Sequence, residues 1–131
     1  MNLKRFVVEM GTGVDQHGQD VTKAAVRAVK DAISRVCLSG LREILRVSSA
    51  DDMLVEVLVA CPNSKEVRTE EVLDALPFGR KQIKVVEGGM SARVTFEPQL
   101  GDKTDYAMVA NAAITVSVDM DKVLETWKRG S

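Results

Sequence analysis

Apolar and polar positions alternate with two different periods along this chain. In "KRFVVEM" (residues 4–10) β-branched and aromatic residues form a short run that ends at Gly11, the pattern of a strand. From residue 20 onward the apolar positions are Val21, Ala24, Ala25, Ala28, Val29, Ala32, Ile33 and Val36, the i, i+3, i+4, i+7 spacing of one helix face. Asp20 is placed to cap that helix, because a short carboxylate can accept from the free amides of the first turn. "GLREIL" (40–45) predicts a second short helix, and "DMLVEVLVA" (52–60) a strand that stops before Pro62.

The second half follows the same logic. Thr69 is expected to cap a short helix, "EEVLDALP", which Pro77 and Gly79 close. "KQIKVVE" (81–87) predicts a third strand, interrupted by Gly88 and Gly89, which read as a β-bulge. "SARVTFE" (91–97) either continues that strand or returns as a hairpin arm. "YAMVANAAITVSV" (106–118) predicts a long strand rich in alanine and valine, and "DKVLETW" (121–127) a closing helix. One long helix cannot cover both sides of four or five strands. On the strand at 52–60, only Glu56 is clearly polar on either side. The expected architecture is therefore α+β: one domain over residues 1–131, in two layers, with helices on one face of a mixed sheet. The bare face is expected to pack on other copies of the chain, with Ala107, Ala110, Ala112 and Ala113 allowing close approach. The alternative is that these alanines pack only under the chain's own helices.

Composition narrows the partners. Of 131 residues, 18 are Lys or Arg and 19 Asp or Glu, so there is no cationic surplus to neutralise a phosphate backbone. The few aromatic residues are scattered rather than gathered into stacking platforms. Nucleic acid is not expected as a partner. The apolar run after Met1 is too short for a signal peptide or a membrane span, which points to a cytoplasmic protein without a membrane partner. Cys37 and Cys61 form no CxxC pair and read as half-buried hydrophobes.

The chemistry concentrates in "GTGVDQHGQD" (11–20), which holds Gly11, Gly13, Gly18 and the chain's single histidine, His17. A dinucleotide fingerprint needs glycine where Gln16 stands. A P-loop needs Lys and Ser or Thr where Gln19 and Asp20 stand. Asp15 and Asp20 would also repel an anion at the helix start. No nucleotide cofactor is expected. Asp15 and His17, two apart on an extended segment, can instead project to one side and grip a divalent cation: zinc, manganese or magnesium. The ligand-binding candidates are thus Gly11, Gly13, Asp15, His17, Gly18 and Asp20, with Asp15 and His17 as metal ligands. Equally, the glycines can serve a tight turn requiring positive φ, with Asp15 and His17 bonding the turn's own amides.

Gly11, Gly13, Asp15, His17 and Gly18 spell GxGxDxHG. In this, and over nearly its whole length, the chain resembles a family of uncharacterised conserved proteins from bacteria and plants. More distantly, the motif is similar to that of methylerythritol cyclodiphosphate synthase, in which a strand followed by GxGxDxH supplies two metal ligands and a helix beginning DVxxHA supplies a third. Asp20 and Val21 match that helix start, but Ala24 stands at the third ligand. The resemblance implies a trimeric α+β fold, also similar to chorismate mutase-like folds, and a two-ligand metal site completed by Glu9, Cys61 or a neighbouring subunit. It does not carry the synthase reaction over. Two function classes follow: a metal-assisted small-molecule lyase or hydrolase with its site at the turn, or a non-catalytic small-ligand-binding or assembly protein in which the turn is architectural.

Overall fold

A computed structural model of the chain describes residues 1–130. The elements run β1 (Leu3–Asp15), α1 (Val21–Ile33), α2 (Ser39–Glu43), β2 (Met53–Cys61), α3 (Thr69–Leu73), β3 (Arg80–Glu87), β4 (Met90–Arg93), β5 (Tyr106–Asp119) and α4 (Met120–Gly130). They build a five-stranded mixed sheet in the order β1-β5-β2-β3, in which only β2 and β3 are parallel. The fold is α+β, as the alternation of periods predicts. No described helix is long and apolar enough to cross a membrane.

Two elements depart from the sequence reading. β1 does not stop at Gly11; it continues through Gly13 to Asp15, paired with β5 along the way. Those glycines mark a contact, not a break. A Cβ on Gly11 would lie 2.3 Å from the Ala28 carbonyl oxygen, and one on Gly13 would lie 2.2 Å from that of Ala24. The backbone of α1 therefore rests directly on the backbone of β1, with Ala24, Ala25, Ala28 and Ala32 fully buried around the contact. Neither glycine has positive φ; in this segment Gly18, at 92°, is the glycine that does.

The second departure is at Gly88 and Gly89. They form no bulge, nor do they lead into a hairpin. The chain leaves β3 beside β2, crosses the end of β2, and re-enters the sheet as β4 against β5, where Ala92 faces Ala107. The Gly88 amide donates to the Cys61 carbonyl at 3.2 Å. A Cβ on Gly89 would collide with the carbonyl oxygen of Val109. The crossing is tight because glycine permits it. Two smaller corrections belong here: Thr69 is the first residue of α3 and Arg68 its cap, and the cysteines are not half-buried, since Cys37 is exposed and Cys61 buried, both as free thiols.

The core lies between α1 and the sheet, where Val55, Val57 and Val59 of β2 and Ala110, Ala112 and Ile114 of β5 meet the helix alanines. Leu58 of β2 and Val8, Met10 and Val14 of β1 point to the other face and stay exposed, Met10 at 68%. Along the free edge of β1, side chains of α1 and of Arg35 just after it bond the backbone: Asp31 accepts from the Thr12 amide (2.9 Å), while Arg35 and Arg27 donate to the carbonyls of Met10 (3.3 Å) and Val14 (2.6 Å).

Candidate functional site

The turn between β1 and α1 is held by side chains that use nearly all their hydrogen-bonding capacity internally. Asp15, the last residue of β1 and 3% exposed, accepts from the Asp20 amide at 2.7 Å and from Arg27 Nη1 at 3.0 Å. Asp20 caps α1 as its position suggests, accepting from the amides of Thr22 (2.9 Å) and Lys23 (3.4 Å), and Arg68 reaches its other oxygen at 3.2 Å. Burial alone would raise the Asp20 carboxyl. The hydrogen bonds from Arg68, Lys23 and Thr22 outweigh it and hold the group below its usual range. The amides that an anion would seek at this helix start are thus occupied.

His17 turns away from Asp15 toward a residue far along the chain. Its Nδ1 lies 3.0 and 3.1 Å from the two carboxylate oxygens of Asp102, in the loop before β5. Asp102 also accepts from the Gly18 amide (3.2 Å), Gln19 Nε2 (3.1 Å) and the Glu97 amide (2.9 Å). Burial would raise this carboxyl too, but the bonds from Glu97, Gln19, His17 and Gly18 prevail and hold it at about 2. An ionised carboxylate only accepts, so Nδ1 carries a proton, and in the neutral ring Nε2 then keeps its lone pair. Gln19 completes the joint: its Oε1 accepts from the amides of Lys103 (2.7 Å) and Thr104 (3.2 Å), and its backbone sits at φ 50°. Such a conformation in a side-chain-bearing residue persists only where surrounding contacts enforce it.

Of the six candidate residues, Gly11 and Gly13 pack the helix, Asp15 and Asp20 organise its start, and His17 and Gly18 bind Asp102. The side chains of Asp15 and His17 have separate partners. Among the described residues no group of three or more His, Cys, Asp or Glu is arranged around a common ion position. Glu9 lies six residues back along β1, about 20 Å from Asp15 at ordinary strand rise. Ala24, at the position of the distant synthase's third ligand, is fully buried against Gly13. Asp102 and Gln19 are the residues that sequence reasoning missed. Gln19 is adjacent to the motif and conspicuous only through its polar neighbours; Asp102 is 85 positions from His17, with no local signal beyond its place after Gly101.

A cavity lies at the opposite end of α1. There the helix ends at Ile33, and α2 with the segment 36–50 spans the sheet without filling the space beneath. The cavity has a volume of about 520 Å³, within the range of small-molecule sites. Its floor is formed by Val7 and Glu9 of β1, Ile114 and Val116 of β5 and Val55 of β2; Leu41 and Arg42 of α2 contribute to the roof.

Comparison with known proteins agrees with this geometry on the fold. No curated protein matches the chain. The crystal structure of an FtsZ-like protein of unknown function from Nostoc punctiforme PCC 73102 is similar to it, at 47% identity and a TM-score of 0.83 over 91% of this chain and 98% of that one. A family model described as "Conserved hypothetical protein (Lin0512_fam)" matches residues 5–116, which include most of β1 with its glycines, the His17 turn and the Asp102 loop. The chain therefore belongs to this family of conserved hypothetical proteins.

Proposed function

We propose that the chain is a non-catalytic small-ligand-binding protein whose GxGxDxHG turn is architectural, and whose ligand occupies the cavity beneath α2. The observation that carries this reading is the separation of order from space. The polar side chains of the turn are committed to internal partners, several of which lock the 97–104 loop onto the turn itself, whereas a mostly apolar cavity able to hold a molecule lies at the far end of the helix. Thermal unfolding tests the first half. Replacing Asp15 by Asn turns one of its two acceptor oxygens into an NH2 group that faces a donor, either the part-buried Asp20 amide or Arg27, at a cost of about 1 to 3 kcal/mol if the group is structural. An active-site carboxylate would instead be replaceable with little change in melting temperature. Titration of an apolar fluorescent probe into the full chain tests the second half.

Assembly belongs to the same reading. The sheet face opposite α1 exposes Val8, Met10, Val14 and Leu58. Glu56 and Lys84 stand on that face too, since Leu58 pairs with Lys84 in register and Glu56 precedes Leu58 by two. A second copy can cover the apolar stripe and match these charges. We take a homotrimer as the working state, on the resemblance to the trimeric synthase.

A second reading keeps the enzyme class. An imidazole fixed at Nδ1 by a carboxylate presents Nε2 outward, the device by which proteins orient a metal ligand or a general base. On this reading His17 binds zinc, manganese or magnesium in a metal-assisted lyase or hydrolase, with Asp102 as its orienting partner and other donors drawn from substrate or a neighbouring copy. Calorimetric titration of zinc into the wild type and His17→Ala decides it: saturable binding lost in the variant supports the enzyme, and equal heats or none favour the architectural turn.

A further inference from the structure

We propose that the cavity beneath α2 selects a small molecule with an apolar body and a protonated amine, and that Glu9 is the residue that pairs with the amine. The inference rests on the reading of that cavity as the ligand site. Glu9 lies on the helix-facing side of β1, half-buried between Val7 and Gly11 and opposite Ile114 in the strand register. Nearly every neighbour it meets in the cavity wall is apolar: Val7, Ile33, Ile114 and Val116 among them.

Its carboxylate has no hydrogen-bond or ion-pair partner among the described residues, although every other carboxylate on this side of β1 is satisfied: Asp15 by Arg27 and the Asp20 amide. The cation that lines the same cavity, Arg42, is exposed on α2 and forms no ion pair with Glu9. An acidic group set in an apolar wall is stabilised by a cation brought to it, and it discourages an anion of the same shape. An ammonium group answers both its charge and its acceptor oxygens through charge-assisted hydrogen bonds. The apolar body then fills the space over Val55, Ile114 and Val116, where it displaces water from valine and isoleucine side chains. Arg42, in contact with water at the roof, acts from a screened position and sets the head group less strongly.

The test uses a pair of probes that share a body and differ in charge, 2-naphthylmethylamine and 2-naphthoate, titrated at pH 7 into the full chain. The expected result is that the amine binds at least tenfold more tightly than the carboxylate. Glu9→Gln should bring the two affinities within about twofold while retaining the shared component of the naphthalene body. Because Glu9 bonds to none of the described residues, Glu9→Gln should melt at or above the wild-type temperature, and that measurement separates loss of selectivity from loss of fold. Equal affinities in the wild type, or a preference that Glu9→Gln leaves unchanged, overturn the role of Glu9 while the cavity still stands as a ligand site. Tighter binding of naphthoate that disappears in Arg42→Gln overturns it in favour of an anionic head group. Binding of neither probe removes the cavity reading and this inference with it.

Discussion

Gly13→Ala adds one methyl group and should be among the most damaging small substitutions in the chain. The new Cβ would stand 2.2 Å from the Ala24 carbonyl oxygen and 2.3 Å from the Ala28 amide nitrogen, about 1.2 Å short of ordinary contact. Both obstructing atoms are backbone, so no side chain can swing aside. Either α1 lifts off β1 by about 1 Å or β1 bends away from β5. Lifting the helix loosens the contact shared by Ala24, Ala25, Ala28 and Ala32, all of them fully buried. Forced overpacking of this kind costs about 1 to 3 kcal/mol, and the rigidity of the obstruction places Gly13 at the upper end. For a chain of this size, about 3 kcal/mol corresponds to a fall in melting temperature of roughly 10 °C. The assay is thermal unfolding followed by far-ultraviolet circular dichroism, with Gly101→Ala alongside. Gly101 has φ 89° and nothing within 4 Å of its notional Cβ, so its substitution carries only the left-handed backbone penalty of about 1 to 2 kcal/mol. A Gly13→Ala protein that melts within 2 °C of the wild type, or above Gly101→Ala, refutes direct backbone packing as the reason for the glycine.

Acid should release the Asp102 joint. The folded carboxyl sits at about 2, below the roughly 3.9 of an unfolded aspartate, so its contribution is complete above about pH 5 and is lost as the pH falls from about 4 toward 2. Urea midpoints measured from pH 7 to pH 2 should therefore fall more steeply for the wild type than for Asp102→Asn, and parallel curves count against the joint. Gln19→Gly relieves the positive φ but deletes the bonds to Asp102, Lys103 and Thr104; amide exchange in residues 102–104 should accelerate even if global stability barely changes, and unchanged protection there refutes the bridge. Light scattering at micromolar concentration should find an oligomer that Leu58→Lys or Met10→Glu dissociates; a wild-type monomer, or variants that remain assembled, rules out association through the bare sheet face.

The elements were legible where a single pattern decided them. The helical spacing from Val21 to Ile33 yields α1 almost to the residue, and the valine-rich runs yield β2 and β5, because one buried face leaves a periodic trace in the sequence. Gly11 was read as a strand end because glycine is permissive in turns; the same lack of a side chain also permits close approach of two backbones, and only the position of α1 distinguishes the two uses. The crossing from β3 to β4 was hidden for a related reason: Gly88 and Gly89 announce an irregularity without saying to which strand the chain goes next. At the turn, the motif drew attention to His17 but not to Asp102, because the partner of a side chain across 85 positions is decided by the fold. The cavity had no trace at all. Apolar periodicity reports which face is covered and is silent on whether the cover fills the space.

The three side chains from α1 and its C-terminal flank that bond the outer backbone of β1 also bear on how copies of this protein could meet. An edge strand normally offers a ladder of free amides and carbonyls on which another strand can grow, which is the route to open-ended aggregation. Here Asp31, Arg35 and Arg27 already occupy the Thr12 amide and the carbonyls of Met10 and Val14. A foreign strand would have to displace these charged groups to pair along residues 10–14. Growth by sheet extension is discouraged along this stretch, which leaves the sheet's broad face, where side chains rather than backbone would set the fit, for the association proposed above. Association through a face can close on itself and stop, so the guarded edge favours a finite assembly over a fibre.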